Sequence, residues 1–154
     1  MSDPTLLAAL LSTALASGAA APPRDAALAE ALSGLWCFSR DEGRSCWAWE
    51  EVTADGGLRV WGQTPDGLNR FWSEGRYTVE GVVTCVEITA SSEHAPHVAG
   101  DAFCAEVVHV DERVHRFRAV GGTRETVTYR LADTAEAPRF EDARASLAPA
   151  LVSP

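Results

Sequence analysis

Short turn sequences recur at close intervals between residues 35 and 132, and this spacing constrains the fold more than any other feature of the chain. The turns at 41–43, 55–57 and 65–67 combine Asp or Glu with Gly, and segments rich in Val, Thr, Phe, Tyr and Trp separate them. No segment of helical periodicity interrupts the pattern. The predicted strands cover residues 35–40, 45–53, 58–64, 68–79, 82–90, 102–111, 113–120 and 123–132.

Tight connections between successive strands predict antiparallel hairpins, and therefore an all-β fold. Eight such strands in an open sheet would leave two unpaired edges. Closure into an up-and-down barrel removes both edges, so an eight-stranded antiparallel barrel preceded by a short helix is the expected architecture. A two-sheet β-sandwich is the alternative fold.

The ends of the chain differ in composition from this central region. An apolar run at 6–16 is followed by small residues and two prolines, which is typical of a signal peptide, although Asp3 stands where a basic residue is usual. A disordered leader is the alternative interpretation. The predicted regions are a leader at 1–21, a short helix at 22–33, the barrel domain at 34–132 and a loose tail at 133–154, within which 141–147 could form one or two helical turns.

Four cysteines occur as two pairs, each placed symmetrically about a predicted turn. Cys37 and Cys46 flank the first turn, and Cys85 and Cys104 flank the loop at 91–101. An even number of cysteines in a small chain predicts two disulfides, and disulfides indicate a periplasmic or secreted protein. The spacings do not match the closely spaced pairs of a zinc site, so we expect no metal.

Alternation along the strands predicts which side chains enter the barrel. If Cys37 lies opposite Cys46, the tryptophans of this hairpin point inward, and Glu50 shares the outer face with the cysteines. His109 and His115 flank the turn at 111–112 and are expected to be inward-facing neighbours. These aromatic and histidine side chains either fill the core or line a cavity. The candidate ligand-binding residues are Trp36, Trp47, Trp49, Phe103, His109, His115, Phe117 and Tyr129.

Charge and motifs exclude several functional classes. The formal net charge is −9, and an acidic chain repels nucleic acid. The sequence contains neither a G-x-S-x-G nucleophile motif nor a Gly-rich phosphate loop before a helix. We therefore predict no catalytic residues, no cofactor, no nucleic-acid partner and no membrane span.

Gly34-Leu35-Trp36, after a short predicted helix and at the start of the first strand, resembles the G-x-W signature of the lipocalin and calycin superfamily. The resemblance implies an up-and-down barrel, often extracellular, that often holds a small apolar ligand. It also implies that Trp36 closes one end and that an Arg near the last strand packs on it. Arg130 is the candidate, although alternation along the predicted strand places it on the outer face.

These observations predict an exported, disulfide-stapled β-barrel that binds a small apolar molecule or an extracytoplasmic protein without catalysis. One alternative is an inhibitor of an extracytoplasmic enzyme, acting through its N-terminal segment or the loop at 91–101. Another is a barrel isomerase or cyclase that uses His109 or His115.

Overall fold

The computed structural model describes residues 25–131 and 137–150, so the predicted leader lies outside the described residues. Two short helices and eight strands make up this part of the chain. In order they are α1 (Asp25–Leu32), β1 (Gly34–Phe38), β2 (Ala48–Val52), β3 (Gly57–Gln63), β4 (Arg70–Glu80), β5 (Val83–Ser91), β6 (Ala102–Val110), β7 (Val114–Ala119), β8 (Glu125–Arg130) and α2 (Phe140–Ser146).

The eight strands form one closed antiparallel barrel in sequence order. β8 returns to pair with β1, with Trp36 opposite Arg130 and Phe38 opposite Thr128. Closure leaves no free sheet edge, which is the physical reason that the turn spacing favoured a barrel. The predicted up-and-down barrel is confirmed, and the sandwich alternative is wrong.

Both predicted disulfides are present. Cys85 lies directly opposite Cys104 in the β5–β6 pair, and their Cα atoms are 4.1 Å apart. Cys37 and Cys46 are also bonded, with a Cα–Cα distance of 5.4 Å, but Cys46 lies in the connection before β2 rather than in the strand. The two bonds therefore link β5 to β6 and close the loop between β1 and β2.

The register of the first hairpin differs from the predicted one. Cys37 lies opposite Trp49, three residues beyond its disulfide partner, and Trp36 lies opposite Glu50. A displacement by an odd number of residues exchanges the two faces of a strand. Glu50 therefore points into the barrel and Trp49 points out, and the prediction for both residues is wrong.

A hydrogen-bonded loop between β1 and β2 explains this displacement. The Ser39 hydroxyl donates to Asp41 Oδ1 at 2.6 Å and accepts from the Gly43 amide at 2.9 Å. The Ser45 amide donates to the same Asp41 oxygen at 2.8 Å. The connection is thus a wide polar loop rather than the tight turn that symmetry about 41–42 suggested.

The C-terminal segment from 137 to 150 packs on the outside of the barrel instead of lying loose, and α2 occupies the place where helical turns were expected at 141–147. Phe140 of α2 is buried, with its ring centroid 5.6 Å from that of Trp61 and 6.2 Å from that of Trp72. The indole of Trp61 donates to the Pro138 carbonyl at 2.8 Å, and the indole of Trp72 donates to the Leu147 carbonyl at 3.1 Å. The outer face of β2–β4 is therefore a second hydrophobic core.

One end of the barrel is closed beneath α1. Trp36 is fully buried, and its indole nitrogen donates to the Leu32 carbonyl at 2.7 Å. The guanidinium of Arg130 lies 4.1 Å from the Trp36 ring centroid and donates to the carbonyls of Ala31 and Ser33, each at 2.6 Å. Arg130 thus faces inward, and its predicted outward position is wrong.

Gly34 is required at this closed end for a steric reason. Its φ of 132° lies in a region that favours glycine, and a β-carbon there would overlap Nη1 of Arg130. The glycine and tryptophan of the G-x-W signature therefore both serve the contact with Arg130. With its closed eight-stranded meander and this end closure, the chain folds as a lipocalin-like barrel.

Candidate ligand cavity

A cavity of about 260 Å³ lies inside the barrel, between the closed end and the loop that joins β5 to β6. Its wall is formed mainly by inward-facing apolar side chains, with a few polar groups. The lining residues are Phe38, Trp47, Ala48, Glu50, Leu58, Val60, Phe71, Ser73, Val86, Ile88, Pro96, His97, Phe103, Phe117 and Thr126.

The β5–β6 loop covers the mouth of the cavity at the end opposite α1. Pro96 and His97 of this loop form part of the cavity wall. The Ser73 hydroxyl donates to the His97 carbonyl at 3.0 Å, and the His97 ring stacks on Phe103 with centroids 4.2 Å apart. These contacts hold the loop over the mouth, so a ligand would enter beside it or displace it.

Glu50 is the acidic side chain of the cavity wall. It lies between Trp36 on β1 and Val60 on β3, and within the described residues its carboxyl has neither a hydrogen bond nor an ion pair. Its side chain is partly buried and lines the cavity. Burial raises the pKa of Glu50 to about 7.

His115 on β7 also points into the barrel, next to the closed end. Its ring centroid lies 5.5 Å from that of Trp36 and 4.8 Å from that of Phe117. Neither ring nitrogen has a hydrogen-bond partner among the described residues. Burial, with a smaller contribution from the Arg130 charge, lowers the pKa of His115 to about 4, so its imidazole is neutral at pH 7.

The structure brings together three of the predicted ligand-binding residues. Trp47, Phe103 and Phe117 line the cavity. Trp36 forms the closed end and His115 lies beside it, and neither is part of the cavity wall. The predicted inward face was thus correct for Phe103 on β6 and Phe117 on β7.

The other three predicted residues lie on the outside. Trp49 stacks on Trp61 at 6.3 Å between centroids, and the side chain of Tyr129 lies against Gly43. His109 is exposed, and its Nε2 lies 2.8 Å from Asp111 Oδ2. A shift in the β6–β7 register between Val107 and His109 separates the two histidines, so the prediction that both face inward is wrong for His109.

Sequence reasoning missed two important wall residues. Phe71 lay in a correctly predicted strand whose faces were not assigned. Glu50 alternates with Ala48 and Val52, both buried, so its position in an apolar series was a signal for an inward carboxyl. The assumed register concealed that signal by placing Glu50 on the outer face with the cysteines.

No protein-family model and no curated protein matches the chain. Among solved structures, a lipocalin-like protein from Bacteroides uniformis ATCC 8492 is 11% identical, with a TM-score of 0.48, over 66% of this chain and 99% of that chain. An uncharacterized protein from Bacteroides eggerthii DSM 20697 is 9% identical, with a TM-score of 0.45, over 64% of this chain and 98% of that chain. In the part of the chain that the structure describes, neither helix has the length and hydropathy needed to cross a membrane.

Proposed function

We propose that the barrel binds one small, largely apolar molecule in its interior cavity, without catalysis and outside the cytoplasm. The observation that carries this proposal is the cavity of about 260 Å³ with its aromatic wall. Protein interiors are close-packed, and voids larger than a water molecule are few. A cavity of this size is therefore best explained as a site for a ligand.

The volume and the wall together limit the ligand. A dry apolar cavity of about 150 Å³ binds benzene. The larger volume here suits a substituted ring or a two-ring molecule. Five aromatic side chains of the wall offer ring faces and edges for such a body: Phe38, Trp47, Phe71, Phe103 and Phe117.

Export is supported by the two disulfides, because such bonds persist in oxidising compartments and are rare in the cytosol. The isomerase or cyclase alternative required His109 or His115 at the ligand. His109 lies outside the barrel, and His115 is absent from the cavity wall. An extracytoplasmic protein partner, including an enzyme that this chain inhibits, stays as the alternative hypothesis.

Calorimetric titration with naphthalen-1-ylmethanol, a neutral two-ring probe, tests the proposal. We expect saturable one-to-one binding to the wild-type protein. Val86→Phe should abolish it, because the larger side chain enters the cavity. Glu87→Phe is the matched control, because this residue of the same strand is exposed, and it should leave binding unchanged. Absence of binding, or equal binding by Val86→Phe, would overturn the proposal and favour the protein-partner alternative.

A further inference from the structure

Glu50 differs from the other strand glutamates of this barrel in lining the interior cavity, where it has no cationic partner among the described residues. Several glutamates on the outer face are paired with arginines. These pairs are Glu51 with Arg59, Glu74 with Arg144, Glu106 with Arg118, and Glu125 with Arg116, at distances from 2.7 to 3.5 Å. Glu50 faces the cavity, and no cation lies within ion-pair distance of it among the described residues.

The other titratable groups that face the barrel interior do not neutralise Glu50. The guanidinium of Arg130 donates to the Ala31 and Ser33 carbonyls and lies over the Trp36 ring. His115 is uncharged at pH 7, as described above. His97 lies at the mouth of the cavity, and its Nδ1 is 4.0 Å from Oδ2 of Asp101 on the same loop. An ionised Glu50 therefore presents a negative charge to the cavity without a counter-ion from the protein.

Charge complementarity then selects the ligand. A buried carboxylate without a partner is destabilising, and a cation placed beside it relieves this cost. The five aromatic side chains of the wall add to the attraction, because ring faces attract ammonium groups. The net charge of −9 favours the approach of cations over anions.

We infer that the ligand is a small organic cation, an ammonium group carried on an apolar body, with the ammonium against Glu50 and the body against the aromatic wall. This inference rests on the proposed function, because it names the chemical class of the molecule that the same cavity would hold. It extends that proposal by assigning Glu50 as the counter-ion and the main determinant of specificity.

Two probes of nearly equal size separate the inference from the proposed function. Naphthalen-1-ylmethylammonium carries a charge, and naphthalen-1-ylmethanol has the same ring system with a neutral hydroxyl. Titrations at pH 8 keep Glu50 mainly ionised. We expect the wild-type protein to bind the ammonium probe at least about tenfold more tightly than the alcohol, as one charge-assisted hydrogen bond predicts.

Glu50→Gln should remove that preference while still binding the alcohol, which also shows that the variant is folded. Glu51→Gln is the matched control, because the neighbouring side chain is 40% exposed on the outer face and pairs with Arg59. It should keep the full preference. Equal binding of the two probes by the wild-type protein, or a preference that survives in Glu50→Gln, would overturn the inference and leave the proposed function standing. Failure of the wild-type protein to bind the alcohol would overturn the two together.

Discussion

The guanidinium of Arg130 lies 4.1 Å from the ring centroid of Trp36, and this contact joins the last strand of the barrel to the first. Arg130 also donates to two carbonyls at the end of α1. One side chain therefore links the helix, the buried tryptophan and the strand pair that closes the barrel. Its removal should weaken the closed end as a whole.

We predict that Arg130→Met lowers the free energy of unfolding by about 2–4 kcal/mol, because two carbonyls lose charged donors and the indole loses its cation. Urea denaturation measures the change. Arg116→Met is the control, because Arg116 forms an exposed pair with Glu125, and its loss should cost less than about 1 kcal/mol. Equal losses for the two variants would show that Arg130 is an ordinary surface arginine.

Phe140→Ala should lower the free energy of unfolding by about 3–5 kcal/mol, because the ring is buried between Trp61 and Trp72. Tryptophan fluorescence during urea denaturation follows the change directly. Glu141→Ala, on the exposed side of the same helix, should cost under about 1 kcal/mol. A Phe140→Ala protein as stable as the wild type would mean that the C-terminal segment does not pack on the barrel in solution.

Glu50 should make the protein less stable as the pH rises. Its folded pKa of about 7 lies above the ordinary value of 4.5, so the folded protein keeps a proton that the unfolded chain has already released. The stability that protonated Glu50 contributes to the folded protein is fully present below pH 4.5 and is lost as the pH rises through 7. Glu50→Gln carries no charge at this position. We predict that its free energy of unfolding rises by roughly 2–3 kcal/mol relative to that of the wild type between pH 4.5 and pH 8.

Urea denaturation of both proteins at several pH values measures this gain. The comparison must be made as a difference between the two proteins, because other groups also titrate in this range. A difference that stays constant with pH would show that Glu50 is solvated in the folded state.

His115 should have the opposite pH dependence. Its folded pKa of about 4 lies below the ordinary value of 6.5, so the unfolded chain takes up a proton first as the pH falls. Titration of His115 should therefore lower the free energy of unfolding of the wild-type protein by roughly 2–3 kcal/mol as the pH falls from 6.5 to 4. His115→Phe should lack that loss, whereas His94→Phe in the exposed loop should retain it. Parallel stability curves for wild type and His115→Phe would contradict the burial of this ring.

The barrel and both disulfides could be predicted from the sequence because they depend on local signals. Turn residues at short intervals define hairpins, and hairpins in series bring Cys85 and Cys104 opposite one another. Alternation then gave the correct inward face for Phe103 and Phe117. For β5 and β6 the register follows from the directly opposed pair of Cys85 and Cys104.

The register of the first hairpin could not be predicted in the same way, because a disulfide there closes a loop instead of marking opposed residues. The hydrogen bonds of Ser39 and Asp41 widen that loop, and the face of Glu50 changes with it. The register shift beside His109 and the packing of α2 depend on tertiary contacts that have no short-range signal. The most informative residue of the cavity was therefore missed through one register error.

The chain offers a direct measurement of the central claim, because its single isoleucine, Ile88, lies in the cavity wall. Protein labelled with ¹³C at the isoleucine δ1-methyl group gives one NMR resonance that reports on the cavity. Addition of naphthalen-1-ylmethanol should shift this resonance saturably through the ring current of the bound probe, and Val86→Phe should abolish the shift. A resonance that does not move at saturating probe would contradict a ligand site inside the barrel.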